Sequence, residues 1–356
     1  MNTLTFNLPA ELAAKEPPER RGLARDQVKL LVIEPDGNVQ HSQFHQLDQF
    51  LQPGDLLVFN ASRTLPASLR GCEVPDGPCL EVRLAHQQAD GSWLALLLCQ
   101  QDDLFSCGLH DRMRLDFGLG LTAQVVARDK RIPRLWQLRF SLSGTELMDR
   151  LHQIGQPIRY DYVSAPWNLD YYQTVYARVP GSAEMPSAGR AFTWQLLFKL
   201  KQQGIHTAHI VLHTGLSSYM DDVLDAQHPA SEEEYFISEA AAQEINQTRD
   251  RGGRVIAVGT TVVRALESAI DANNQIRAGH RYTQLLITAQ HALKAVDGLL
   301  TGMHEPEASH LDLLTAFLPA HQLQSAYVDA IQKGYLWHEF GDLNLILRNY
   351  SAGQIA

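Results

Sequence analysis

A chain of 356 residues, 45% hydrophobic and 20% charged, carries enough apolar material for a substantial core and is long enough for two domains. Its formal net charge of −10 argues against nonspecific binding of polyanions, because the field of the whole molecule repels them, and leaves a local basic footprint as the route to any nucleic acid. No apolar stretch reaches membrane-spanning length, and the start MNTLTFNLPAEL has no basic segment followed by a hydrophobic signal core, so a cytoplasmic protein without membrane attachment is expected.

Short apolar strands are predicted at Leu30 to Val32 and Leu56 to Phe59, followed by the turn chemistry of Pro35-Asp36-Gly37 and Asn60-Ala61-Ser62. Between about Pro66 and Leu142 come CLEVRLAH, SWLALLLC, RMRLDF, LTAQVVA and LWQLRFSL. These short, mostly alternating runs, separated by Gly, Asp or Pro, predict a small antiparallel β-barrel. Cys72, Cys79, Cys99 and Cys107 fall in this section without CxxC spacing, and the fifteen histidines show no HExxH pattern. Reduced, packed thiols and no metal are the expectation. The segment ARDKRIPRLWQLRF gathers Arg128, Lys130, Arg131 and Arg134 around Trp136, either as a solvated hairpin with a buried indole or as a basic footprint for nucleic acid.

Helical spacing returns at GTELMDRLHQIG, and the aromatic segment QPIRYDYVSAPWNLDYYQ leads out of the barrel. From there the pattern is α/β. Thr193 is placed to cap the helix TWQLLFKLKQQ, Gly204 closes it, and HTAHIVLH supplies the next strand; the helix SEAAAQEINQTRDR ends at Gly252-Gly253. In RVIAVGTTVVRALES the unbroken run Val255 to Val258 predicts a strand covered on both faces. Gly259 relaxes the turn, and Thr260 or Thr261 is expected to cap the next helix, whose N–H groups favour an anion. LLITA is expected to be a further strand. The succession predicts a layered α/β domain, residues 1–65 and 155–356, interrupted by the barrel at residues 66–154.

Several stretches, collinear along the chain, resemble one known family. They are PGDLLVFNASRTLPASLRG from Pro53, YQTVYA from Tyr172, PSAGRAF from Pro186, LHTG from Leu212, the acidic run around Glu233, RVIAVGTTVVRALES, VDGLLTGMHEP from Val296 and FGDLNLIL from Phe340. The chain is similar here to the S-adenosylmethionine:tRNA ribosyltransferase-isomerases (QueA). The resemblance implies the same division into an α/β domain and an inserted barrel. It also implies transfer and isomerisation of the ribosyl part of S-adenosylmethionine onto a 7-aminomethyl-7-deazaguanine base in tRNA, releasing adenine and methionine. That chemistry needs a base for the acidic ribose carbon beside the sulfonium, an uncharged attacking amine, donors for the methionine carboxylate and a dry pocket.

On this reading His213, at the end of HTAHIVLH, Glu233 and His304 are the candidate catalytic groups. Asn60, Arg63, Tyr172, Gln173, Thr174, Gly189, Gly259, Thr260, Thr261, Arg264 and Asp342 are the candidate contacts to S-adenosylmethionine. Each has a plain alternative: a strand-end salt bridge for Arg63, core-edge packing for Tyr172, a solvated acidic edge for Glu233, an Asx turn for Asp342. Departures from the family pattern stand at Ala61, Ser68, Arg190, Ala191, Ser231, Gly302 and Met303. Arg190 would repel a sulfonium unless an acid such as Glu184 or Glu305 offsets it. These replacements leave open a divergent paralogue that binds S-adenosylmethionine or a related nucleoside and acts on a non-tRNA acceptor, or a silent binding protein.

Overall fold

The fold comes from a computed structural model, which describes residues 4–99, 108–225, 232–306 and 308–348. Cys107 and Ser231 lie outside the described residues. The strands begin with β1 (Lys29–Ile33), β2 (Val39–Gln43), β3 (Leu56–Asn60) and β4 (Ser62–Thr64). Next come β5 (Ser68–Glu73), β6 (Cys79–Gln87), β7 (Trp93–Cys99), β8 (Arg114–Asp116), β9 (Thr122–Arg128) and β10 (Leu135–Phe140), which close into a barrel in the order β10-β7-β6-β5-β8-β9. Alternation drives the closure: Leu80, Val82 and Leu84 of β6 and Ala123 and Val125 of β9 point inward to one core with Leu96, Leu115 and Leu138. This is the small antiparallel barrel expected from the sequence.

After α1 (Gly144–Ile154) and β11 (Val179–Ser182), which runs parallel to β4, the α/β part resumes with α2 (Trp194–Gln202), β12 (His206–Leu212) and α3 (Asp222–Asp225). It continues through β13 (Glu233–Ile237), α4 (Glu239–Asp250), β14 (Val255–Val258), α5 (Thr260–Ala269), β15 (Gly279–Thr283) and β16 (Gly298–Gly302). The last elements are α6 (Ser309–Leu314), α7 (Ala320–Gln332) and β17 (Leu343–Leu347). Nine strands form one sheet, β15-β13-β12-β3-β14-β16-β17-β1-β2. β12, β3, β14 and β16 are mutually parallel, so their C-terminal ends share one edge.

Both faces of its central strands are covered, which is why β3, β14, β16 and β17 read as continuous apolar runs. Val58, Ile210 and Ala257 pack under Ile245 of α4, Val262 and Leu266 of α5, and Leu323 and Tyr327 of α7. Leu57, Phe59, Ile256 and Leu345 pack under Leu196 and Leu200 of α2 and Phe44. On this second face Phe192 meets Phe44 and Phe59 edge-on at 4.9 and 4.8 Å, aromatic burial of the order of 2–3 kcal/mol per ring.

Four local expectations need different outcomes. Thr193 does cap α2, its hydroxyl accepting from Leu196 N at 3.1 Å. Neither Thr260 nor Thr261 caps α5; Gly259 occupies that position at φ 99°, a conformation glycine adopts freely, and supplies no side-chain bond. LLITA, residues 285–289, is not a strand: the sheet ends instead with β15, whose register against β13 is set by Glu233↔Thr283 through Ile237↔Gly279. The described thiols are not reduced. The β5–β6 register sets Cys72 opposite Cys79, with Cα atoms 3.9 Å apart and the sulfurs bonded, and Cys99 is also in a disulfide. No helix among the described residues is long and apolar enough to cross a membrane.

Candidate active site

At the shared strand edge Asn60 is buried and fully used. Its Nδ2 donates to the Leu212 carbonyl at 2.7 Å, and its Oδ1 accepts from Leu212 N and Ser62 N at 3.0 and 3.1 Å, tying the ends of β3 and β12 together. The chain then sets Ser62 Oγ 2.7 Å from His213 Nδ1 and 2.6 Å from Ser182 Oγ, which in turn accepts from Thr214 N at 3.0 Å. The imidazole lies flat against Gly181, where a Cβ would sit 2.5 Å from the ring. Desolvation lowers the His213 pKa, so the ring is neutral near pH 7. With the proton on Nδ1, Nε2 is a proton acceptor.

Glu233 begins β13, beside β12, and is ion-paired with Arg264 of α5, both side chains largely buried; Arg264 Nε also donates to the Leu285 carbonyl at 3.1 Å. The acidic run is thus a sheet strand, with Glu234 held by His280 at 2.7 Å and by the Tyr282 hydroxyl at 3.0 Å. Thr260 is buried at the start of α5, Thr261 half-buried, and a Cβ on Gly259 would stand 3.6 Å from Ala188, next to the turn Ser187–Gly189. His304, just past β16, has Nε2 2.8 Å from Thr301 Oγ1, stacks on His310 at 4.9 Å, and accepts from Trp337 Nε1 through its carbonyl at 2.8 Å. Desolvation holds it neutral too. Because β3 and β14 separate β12 from β16, the edge carrying His213 and His304 is three strand spacings wide, roughly 14 Å.

Most of the other candidates also make framework contacts. Gln173 mimics a strand, accepting from Thr64 N at 3.1 Å and donating to Thr64 O at 2.8 Å. Thr174 is buried beside it, and Tyr172 meets Phe340 edge-on at 5.1 Å. Gly189 is required by packing, since a Cβ would fall 1.8 Å from the Tyr176 hydroxyl. Asp342 accepts from Lys29 N at 2.6 Å and Leu336 N at 2.7 Å, fixing the entry to β17 beside β1. Arg63 is half-buried on β4 opposite Pro180, with no ion partner among the described residues.

Arg190 does not stand as a free cation. It is 4% exposed and donates to Glu19 Oε2 at 2.7 Å and to the Tyr171 carbonyl at 2.8 Å, with its guanidinium 5.1 Å from the Phe340 ring centre. The offsetting acid is therefore Glu19, from the N-terminal turn, and neither Glu184 nor Glu305. Burial pulls the Glu19 pKa up, but the charge and hydrogen bond of Arg190 hold it below the usual carboxylate value.

The sequence reading missed a constellation built on the aromatic segment. Tyr160, Tyr162 and His338 form a stacked column, with ring centres 5.9 and 3.9 Å apart. The Tyr160 hydroxyl bonds to Glu184, whose carbonyl accepts from Thr214 Oγ1 at 2.6 Å; the Tyr162 hydroxyl donates to Glu339 Oε2 at 3.2 Å; His338 Nδ1 lies 3.2 Å from Glu305. Desolvation, with the Glu184 charge nearby, pushes the Glu339 pKa up to about 8. Tyr160 and Tyr172 wall a cavity of about 570 Å³ with Arg83, Arg159, Trp167 and Ser68, between the barrel and residues 156–172. That is ample for a nucleotide. A smaller crevice of about 10 Å³, near the size of one water, lies among Arg25, Ser187, Arg190, Gly302, Glu339 and Asp342. An alternating Tyr-x-Tyr in the exit segment was the available signal.

The basic hairpin is β9–β10. Trp136 is buried in the barrel wall, Arg128 lies over it at 4.8 Å, and Arg128 and Lys130 are exposed. Arg131 is exposed as well and pairs with Glu232 at 3.1 Å, while Arg134 is half-buried and donates to the Tyr219 carbonyl at 3.2 Å.

A family described as queuosine biosynthesis protein matches residues 1–346. S-adenosylmethionine:tRNA ribosyltransferase-isomerases of Desulforamulus reducens and Thermus thermophilus are 36% and 37% identical to this chain. The matches cover 98% of this chain and 99% of the relative in the first case, 96% and 98% in the second. The crystal structure of a Thermotoga maritima S-adenosylmethionine tRNA ribosyltransferase superposes with a TM-score of 0.54 at 27% identity, over 97% of this chain and 99% of that one. With its barrel, its nine-stranded sheet and a match over nearly its whole length, the chain belongs to the queuosine biosynthesis family of S-adenosylmethionine:tRNA ribosyltransferase-isomerases.

Proposed function

We propose that this protein transfers the ribosyl moiety of S-adenosylmethionine to the aminomethyl group of a 7-deazaguanine base in tRNA and isomerises it, forming epoxyqueuosine and releasing adenine and methionine. The observation that carries the site assignment is the continuous path from His213 through Thr214 and Glu184 to Tyr160, which joins a neutral imidazole at the strand ends to the wall of the 570 Å³ cavity. His213 Nε2 takes the proton from the ribose carbon beside the sulfonium, where the positive sulfur makes that carbon acidic. Arg63 binds the methionine carboxylate with its planar fork. Glu233 acts with Arg264 as a fixed charge pair at the mouth of the site, and His304 with the Gly259–Thr261 turn contacts the adenosine.

The cavity between barrel and aromatic segment receives the acceptor base on Trp167 and Tyr172, as stacking platforms do for unpaired bases. Arg128 and Lys130 supply the exposed basic contacts to the tRNA backbone. Residues 66–154 act as the inserted unit that closes over the acceptor, and the protein works in the cytoplasm, where tRNA is modified.

The neutralisation of Arg190 by Glu19 removes the main electrostatic reason to prefer a divergent ligand. Adenine release from S-adenosylmethionine, measured with and without tRNA carrying the aminomethyl base, tests the reading. Release that depends on that tRNA supports it; binding of S-adenosylmethionine without release identifies the paralogue instead.

A further inference from the structure

We propose that Glu339 is the base that receives the acceptor's primary amine, its Oε1 accepting a proton from the aminomethyl ammonium before the amine attacks. This rests on the ribosyl-transfer reading and adds a residue to it. Glu339 Oε1 is shielded from solvent and has no hydrogen-bond partner among the described residues, while Oε2 is fixed by the Tyr162 hydroxyl. An orphaned carboxyl oxygen at a strand-end crevice is costly unless a ligand supplies the missing donor. Glu339 lines the crevice, its partner Tyr162 is flanked in the chain by Asp161 and Val163 of the cavity wall, and its charge acts on Tyr172 of the same wall.

The surroundings select the ligand. From the aromatic segment Glu339 is faced by Tyr162 and Tyr172; from the β11 exit and the following turn by Glu184 and Arg190. Arg25 and Asp342 share the crevice, and the adjacent His338 is paired with Glu305. Glu19 is shared by Arg190 and Arg25, and Glu305 is paired with His338, which leaves Glu339 and the nearby Glu184, each bonded to a tyrosine hydroxyl, as the carboxyls that favour a cation. A sulfonium carries no N–H or O–H proton, and its acidic C–H is the one assigned to His213. An ammonium has an N–H proton to give, and its transfer ends with two neutral species, the state a poorly hydrated site prefers.

The step balances. One N–H bond breaks with its electron pair left on nitrogen, one O–H bond forms at Oε1, and the carboxylic acid later returns the proton to water. Burial matches the two groups: with the carboxyl at about 8, it lies about 2 pH units below an ordinary alkylamine, where a normal glutamate would lie about 6 below. Proton transfer is correspondingly less uphill.

The experiment measures kcat/KM for the aminomethyl tRNA between pH 6 and 9.5, together with calorimetry of S-adenosylmethionine, for the wild type, Glu339→Gln and Glu339→Asp. The wild type should rise with pH through a midpoint near 8. Glu339→Gln should lose about 100-fold or more at about pH 8 and show no break near 8, its residual activity rising on towards the pKa of the free amine, with unchanged affinity for S-adenosylmethionine showing that it is folded; Glu339→Asp should keep a reduced activity with a break. A Glu339→Gln enzyme with wild-type kcat/KM and the same pH rise overturns the proposal alone. Weakened S-adenosylmethionine binding with normal use of tRNA also overturns it, since Glu339 would then be the sulfonium's counterion. A wild type that releases no adenine overturns the ribosyl-transfer reading and this step with it.

Discussion

Replacing Glu19 by glutamine keeps the side-chain shape but strands the Arg190 charge. Arg190 is almost wholly buried and Glu19 27% exposed, with the pair closed at 2.7 Å and a second, looser contact from Glu19 to Arg25 at 3.3 Å. Removing one partner of a fully buried pair costs about 3–5 kcal/mol. The partial exposure of Glu19 and the surviving Tyr171 hydrogen bond bring the expected loss to about 2–3 kcal/mol. Urea unfolding read by tryptophan fluorescence should show that loss for Glu19→Gln, and Glu19→Gln combined with Arg190→Leu should recover part of it, because no charge is then stranded. The sign with pH is fixed: Arg190 holds the Glu19 pKa below 4.5, so the pair's contribution is present above that value and fades on acidification below it. The stranded cation should also weaken S-adenosylmethionine binding. A loss under about 0.5 kcal/mol with unchanged affinity would refute the assignment of Glu19 as the group that neutralises Arg190.

Four further outcomes are expected. His213→Ala should reduce adenine release by about 100-fold or more while moving the unfolding midpoint little; equal damage to both would make the imidazole a framework group. Asn60→Ala should cost about 2–3 kcal/mol, because it leaves Leu212 N–H and C=O unpaired at a buried strand end, and a near-neutral effect by urea titration would contradict that. Burial lowers the His209 pKa from 6.5 to about 4, so this ring's contribution is full above pH 6.5 and is lost as pH falls towards 4; His209→Gln should flatten the acid limb of the stability curve in that window. Lys130→Glu should weaken tRNA binding and lower its salt dependence by about one unit of log–log slope, without touching the Arg131–Glu232 contact; an unchanged slope removes the hairpin from the interface.

What the sequence made legible was periodic. The alternation of LTAQVVA and LWQLRFSL gave the barrel, because inward and outward positions differ by one residue, and the apolar run of Val255 to Val258 gave a strand buried on both faces. LLITA has the same apolar look, but β15 takes the place beside β13, and pairing partners are not written into a short run. The placing of His213 and Asn60 at one sheet edge was legible, since a parallel sheet collects its strand ends on one edge. The Glu19–Arg190 pair and the Tyr162–Glu339 bond were not visible, because each joins segments distant in the chain whose meeting is set by tertiary packing. The cysteine expectation failed for the same reason: the Cys72–Cys79 pairing follows from hairpin register, which spacing alone does not fix.

Mass spectrometry of the products formed from S-adenosylmethionine and tRNA bearing the aminomethyl-deazaguanine base tests the central claim most directly. The account predicts one adenine and one methionine for each tRNA that gains the isomerised ribosyl group. Unmodified tRNA and intact S-adenosylmethionine after incubation with folded, ligand-binding protein would contradict it.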